Sequence, residues 1–112
     1  MLSEVYVEKI EDYISENYNK QISLVHLANY VGFSSYYLSK LMKEAFDINY
    51  CEYLTKIRVE KAKDLLQERE FTISEISYKV GYSEPKYFSN VFRKMEGISP
   101  SEYRKRFIKE LA

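Results

Sequence analysis

The 112 residues include three glycines, two prolines, one cysteine, one histidine and no tryptophan. So little Gly and Pro rules out a collagen-like or loop-dominated chain and leaves long stretches free to be helical. One cysteine cannot close an internal disulfide. With a single histidine beside it, the chain also has too few nitrogen and sulfur ligands for a structural zinc site, so no metal or other cofactor is expected. No apolar run exceeds four residues, against the ~20 that cross a bilayer. The first twenty residues are too charged for the apolar part of a secretory signal. The expectation is a cytoplasmic, non-membrane protein that stands on its core alone.

Net charge is also missing, with 17 basic residues balancing 17 acidic ones. The balance is uneven along the chain. Residues 1–21 hold Glu4, Glu8, Glu11, Asp12 and Glu16 against Lys9 and Lys20. From Lys79 to Lys109 there are eight bases and only Glu84, Glu96 and Glu102 as acids. A local positive field towards the C-terminus therefore coexists with a neutral total.

What the chain does have is hydrophobic periodicity. Apolar residues recur at three- and four-residue steps and no segment alternates long enough for a strand, which predicts an all-α fold of about seven helices. Expected inward positions are Tyr6, Ile10, Tyr13 and Ile14 on a first helix over Ser3 to Tyr18. They continue with Leu24, Leu27, Ala28 and Val31 on a second, and Leu38, Leu41, Met42 and Ala45 on a third. Ser23 and Ser34 are the expected caps of the second and third helices, and Gly32 the stop between them. A longer helix, about Tyr50 to Gln67, follows with Tyr53, Leu54, Ile57, Ala62 and Leu65 inward.

After it the pattern restarts. ISLVHLANYVGFS (Ile22 to Ser34) matches FTISEISYKVGYS (Phe71 to Ser83) at an offset of 49. One residue is then inserted in the second copy, and YLSKLMK and INYCEY match YFSNVFR and ISPSEY at an offset of 50. One supersecondary unit has been used twice. The expected division is a first subdomain over 1–49, a linker helix over 50–67 and a second subdomain over 68–112.

Each copy is a short helix, a Val-Gly-aromatic-Ser turn and a longer helix, which is the pattern of a helix-turn-helix. One copy alone would equally describe an ordinary helical hairpin. Two copies, each with bases on the exposed face of its longer helix, favour DNA. Burying Leu38, Leu41, Met42 and Ala45 leaves Tyr36, Ser39, Lys40 and Lys43 outward, with Ser35 at the start. Burying Phe88, Val91, Phe92 and Met95 leaves Lys86, Ser89, Asn90 and Arg93 outward. Lys40 can donate to guanine O6 and N7, Asn90 can address adenine N6 and N7, and the Tyr36 ring can meet a thymine methyl. Lys43, Arg93, Lys94 and Arg104 supply charge for phosphates, which fix register without reading sequence. Capped N-termini on both longer helices, by Ser34 and Ser83, would favour phosphate as well.

The second copy and its tail, ISEISYKVGYSEPKYFSNVFRKMEGISPSEYRKR, together with IRVEKAKDLL before it, resemble the DNA-binding domain of AraC/XylS-type bacterial transcription regulators. The resemblance covers about Ile22 to Arg106. It implies two helix-turn-helix subdomains joined by a linker helix, with both recognition helices in successive major grooves of double-stranded DNA. It also implies regulation of initiation by RNA polymerase. Carried over by position, it puts Tyr36, Ser39 and Lys40, then Lys86, Tyr87 and Asn90, on bases, beside which Ser35, Lys43, Arg93, Lys94 and Arg104 are the residues expected on phosphate. Met42 stands where Phe is usual and Asp47 where Gly is common, and both fit: Met fills similar space and Asp tolerates left-handed backbone. In that family the domain usually follows a sensor or receiver domain, and the tyrosine-rich VGFSSYYLSKLMKE is similar to response-regulator members.

An enzyme is not expected. His26 reads as an exposed or partly packed helix residue, and Cys51 as a small core residue with no activating base nearby. Glu52 and Glu102 recur with the repeat and so point to local structure. A helical protein-interaction module that has lost DNA remains the alternative.

Overall fold

The computed structural model describes residues 4–111, with side chains over 4–107. Seven helices and no strand are found among them: α1 Glu4–Asn17, α2 Leu24–Val31, α3 Ser35–Phe46, α4 Tyr50–Leu66, α5 Ile73–Lys79, α6 Pro85–Glu96 and α7 Pro100–Leu111. Ser3, the expected start of the first helix, lies outside the described residues. The chain divides into two compact units, Met1–Ile57 and Arg58–Ala112, so the division falls within α4.

In the first unit, Ile10 and Ile14 of α1 meet Leu27, Ala28 and Val31 of α2, Leu38 and Met42 of α3, and Tyr50 and Leu54 of α4 in one core. Burial of each full-sized aliphatic side chain contributes about 1.5–3 kcal/mol. Tyr50 adds a directional tie, its hydroxyl donating to the Ile22 carbonyl at 2.7 Å. Tyr53 is half-buried against Phe46; burial first, and then Glu11, hold its phenol above its ordinary pKa.

The second unit buries Val59, Ala62, Leu66, Ile76, Val80, Phe88, Phe92 and Tyr103. Its aromatic rings follow one another, Tyr82 to Phe88 at 5.6 Å, Phe88 to Phe92 at 5.9 Å and Phe92 edge-on to Tyr103 at 5.5 Å. Buried Arg58 sits over the Tyr82 ring at 5.2 Å. Lys63 bridges Glu60 and Glu96, each at 3.3 Å. Burial works against its ammonium, but the hydrogen bonds to Glu96 and Glu60 outweigh it and its pKa rises.

The helix starts are fixed within four-residue windows. The Ser23 hydroxyl accepts from the His26 N–H and His26 Nδ1 accepts in return from the Ser23 N–H, a reciprocal box. Thr72 and Glu75 repeat it 49 residues later with a carboxylate in place of the imidazole. Asn49 and Glu52 do the same for α4, and the Ser99 hydroxyl accepts from the Glu102 N–H at the start of α7. The recurrent glutamates thus stand at helix starts. Gly32 and Gly81 take φ of 82° and 106° in the two turns, a region that glycine enters without steric cost. The same backbone bond closes both turns, from Phe33 to Ala28 and from Tyr82 to Ser77.

Four expectations need correction. Ser83 does not cap α6: Glu84 occupies that position without a side-chain cap bond, and Pro85 follows at the first turn, where its missing N–H costs little. Ala45 and Met95 are exposed, because the buried stripes of α3 and α6 close with Met42 and Phe92 one turn earlier. Cys51 is exposed, since the buried face of α4 begins with Tyr50 and Leu54. Tyr6 is only partly covered, lying against Phe33 at 5.0 Å with 38% of its surface exposed.

Candidate nucleic-acid interface

Each longer helix of the repeat is held from one side. In α3, Leu38, Leu41 and Met42 are buried, the Ser34 hydroxyl accepts from the Tyr37 N–H, and Asp47 ends the helix in the left-handed conformation. The opposite side is then fixed as well. Tyr36, Ser39, Lys40 and Lys43 line one surface concavity together with Glu44 and Asn49. Tyr36 is 81% exposed, far more than a tyrosine held by packing, while Ser39 is half-buried on the concavity wall. Ser35 is half-buried at the helix start. Tyr37, on the flank, packs edge-on against Phe33 at 5.1 Å.

In α6, burial of Phe88 and Phe92 turns Lys86, Tyr87, Asn90, Arg93 and Lys94 to the surface, where all five are exposed. Tyr87 is tethered by its ring to Tyr82 at 5.8 Å and keeps 60% of its surface open. Arg93 lines a second concavity with Ser99, Ser101, Glu102 and Lys105 at the start of α7, which Lys86, Tyr87, Asn90 and Lys94 do not share. Arg104 goes elsewhere. Its Nε donates to the Leu66 carbonyl at 2.9 Å and its Nη2 to the Glu68 carbonyl at 2.8 Å, so the guanidinium satisfies the C-terminal end of α4. That bonding engages two of its donors within the second unit.

Sequence reasoning missed Glu44 and Asn49 in the first concavity, and Ser99, Ser101 and Lys105 in the second. The signal was available for Glu44, which follows Lys40 by one helical turn. For Asn49 and Ser99 it was the repeat itself, which puts both at the start of the next helix.

Two helix-turn-helix units, each with an outward polar and basic face, fit nucleic acid, and the relatives agree. Residues 27–106 match the helix-turn-helix domain family. The chain belongs to the AraC family of DNA-binding domains. It is 40% identical over 101 residues to the lactose operon transcription activator of Staphylococcus xylosus, covering 90% of this chain and 36% of that protein. It is 35% identical over 109 residues to the HTH-type transcriptional regulator YijO of Escherichia coli, covering 97% and 38%. The C-terminal domain of AraT, a response regulator from Geobacillus stearothermophilus, superposes with a TM-score of 0.87 at 38% identity, over 94% of this chain and 87% of that one. The chain thus spans less than two fifths of the length of these curated relatives. As an AraC-type domain it is a DNA-binding, non-enzymatic part of a transcriptional regulator. No helix among the described residues is long and apolar enough to cross a membrane.

Proposed function

We propose that this AraC-type domain reads a specific duplex sequence by placing α3 and α6 in successive major grooves on one face of the DNA. The observation that carries the reading is the shared concavity of Tyr36, Ser39, Lys40 and Lys43, directly opposite the buried stripe of α3. Donors, hydroxyls and an exposed ring are gathered there at the spacing of a single helix face. In this reading Tyr36, Ser39 and Lys40, with Lys86, Tyr87 and Asn90, address base edges, and Ser35, Lys43, Arg93 and Lys94 address phosphates. Residues 1–49 and 68–112 serve as the two reading modules and 50–67 as the link between them.

The similarity to a response-regulator C-terminal domain supports a receiver or other sensor domain elsewhere in the intact protein, and in this reading RNA polymerase is the target of regulation. Selection of sites from random duplex, followed by footprinting at two salt concentrations, tests the proposal. The expected result is an enriched site with two protected segments about ten base pairs apart. Absence of enrichment even for a forced dimer, with tight binding to polymerase or a receiver domain, would establish the protein-interaction module instead.

A further inference from the structure

Glu44 is an acid on a surface otherwise suited to a polyanion. It is exposed and lines the same concavity as Tyr36, Ser39, Lys40 and Lys43. Among the described residues no hydrogen bond or ion pair holds its carboxylate. At 100° per residue it stands about 40° round the helix from Lys40 and about 80° from Tyr36. That is the flank of the outward face, where a helix lying in a groove meets the phosphate wall. The second copy has Lys94 at the matching position, 50 residues later. The outward face of α3 therefore sets Lys40 and Lys43 against Glu44, whereas that of α6 carries three bases of its own, Lys86, Arg93 and Lys94. Glu96 is bound to Lys63, Glu102 beside Arg93 is offset by Lys105 in the same concavity, and the N-cap residue Glu84 removes only one of those three charges.

We propose that Glu44 makes the two copies electrostatically unequal, so that the second copy anchors to phosphate whatever the sequence and the first engages only where its base contacts are met. The proposal rests on the duplex-binding reading above. Phosphate contacts supply the sequence-independent share of affinity, and a carboxylate facing them subtracts from it. With that share held low, engagement of α3 depends on the bases.

The test uses the purified chain with three labelled duplexes: random, selected, and selected with the first half-site scrambled. The unsubstituted chain is expected to protect both segments of the selected duplex and only the second segment of the scrambled one. Glu44→Lys should spread protection to the scrambled segment. It should also enlarge the affinity loss between 50 and 200 mM salt by about 3.5-fold, the effect of one added phosphate contact. Lys94→Glu should shrink that loss. An unchanged footprint and salt slope in Glu44→Lys, with unchanged helix content, would overturn the proposal. So would a Glu44→Gln variant that loses affinity for the selected duplex alone, which would make the carboxylate a base contact. Binding to none of the three duplexes by the unsubstituted chain would instead remove the duplex-binding reading, and the proposal with it.

Discussion

Asp47 and Gly97, fifty positions apart, end α3 and α6 in the same left-handed conformation, at φ of 63° and 85°. Each N–H donates back to the carbonyl of the last-turn base, Lys43 or Arg93. Glycine holds this conformation without the side-chain penalty that aspartate only partly escapes. Asp47→Gly is expected to stabilise the chain by about 0.5–1 kcal/mol. Gly97→Ala should destabilise it by about 1 kcal/mol. A Cβ at Gly97 would meet nothing within 4 Å, so the loss would be purely one of backbone conformation. Urea denaturation of the two variants checks both signs.

Ser77 is fully buried on α5 and its hydroxyl has no hydrogen-bond partner among the described residues. The first copy has Ala28 at the matching position, also buried. Ser77→Ala should therefore raise stability by about 1 kcal/mol, because the desolvated hydroxyl contributes nothing in return. A lower denaturation midpoint in the variant would mean that the hydroxyl is bonded in solution.

The N–H of Thr72, and then its hydroxyl, hold the Glu75 carboxyl below its ordinary pKa of 4.5, with Lys79 adding to the effect. A carboxyl depressed on folding contributes stability that is present above 4.5 and is lost as pH falls through the folded value. Melting curves between pH 2 and pH 7 should show that acid-side loss, and Glu75→Gln, which keeps an acceptor without the charge, should lack this component.

Lys40→Ala and Asn90→Ala should each cost about 1–3 kcal/mol on the selected duplex and relax preference at one base position. Arg93→Ala should weaken binding to every duplex and lower the salt slope by about 1. Equal losses on selected and random duplex for all three would remove the base-reading assignments.

Arg104→Ala should cost about 1–2 kcal/mol of stability by releasing the Leu66 and Glu68 carbonyls. Its duplex salt slope should stay close to that of the unsubstituted chain. A fall in slope as large as that of Arg93→Ala would return Arg104 to the phosphate-facing set.

Much of this architecture was legible because it is written locally and written twice. Three- and four-residue periodicity set out seven helices. Gly32 and Ser34 marked the first turn, and the repeat located the second. Asp47 was readable as a left-handed position from the family resemblance, in which Gly is common there, together with the tolerance of aspartate for that backbone. The misreadings arose where a neighbour decides the outcome. Ser83 resembles Ser34, but the residue inserted after it moves the helix start to Glu84 and Pro85. Ala45 and Met95 continue an apolar stripe that has no helix left to cover it. The bonds of Arg104 were not legible at all, because only the fold brings the carbonyls of Leu66 and Glu68 within its reach. At the interface, outward faces followed from burial, whereas the grouping of Arg93 with Ser99 and Ser101 depends on how α6 meets α7.

The signals that place α3 lie outside the face it presents. Ser34 stands before the helix, Asp47 after it, and Leu38, Leu41 and Met42 on its far side. Tyr36, Ser39, Lys40 and Lys43 are therefore free to change by mutation with little effect on where the helix begins, ends or packs. Such a layout lets sequence preference drift under selection while foldability is conserved, and lets a designer rewrite the reading face without redesigning the scaffold.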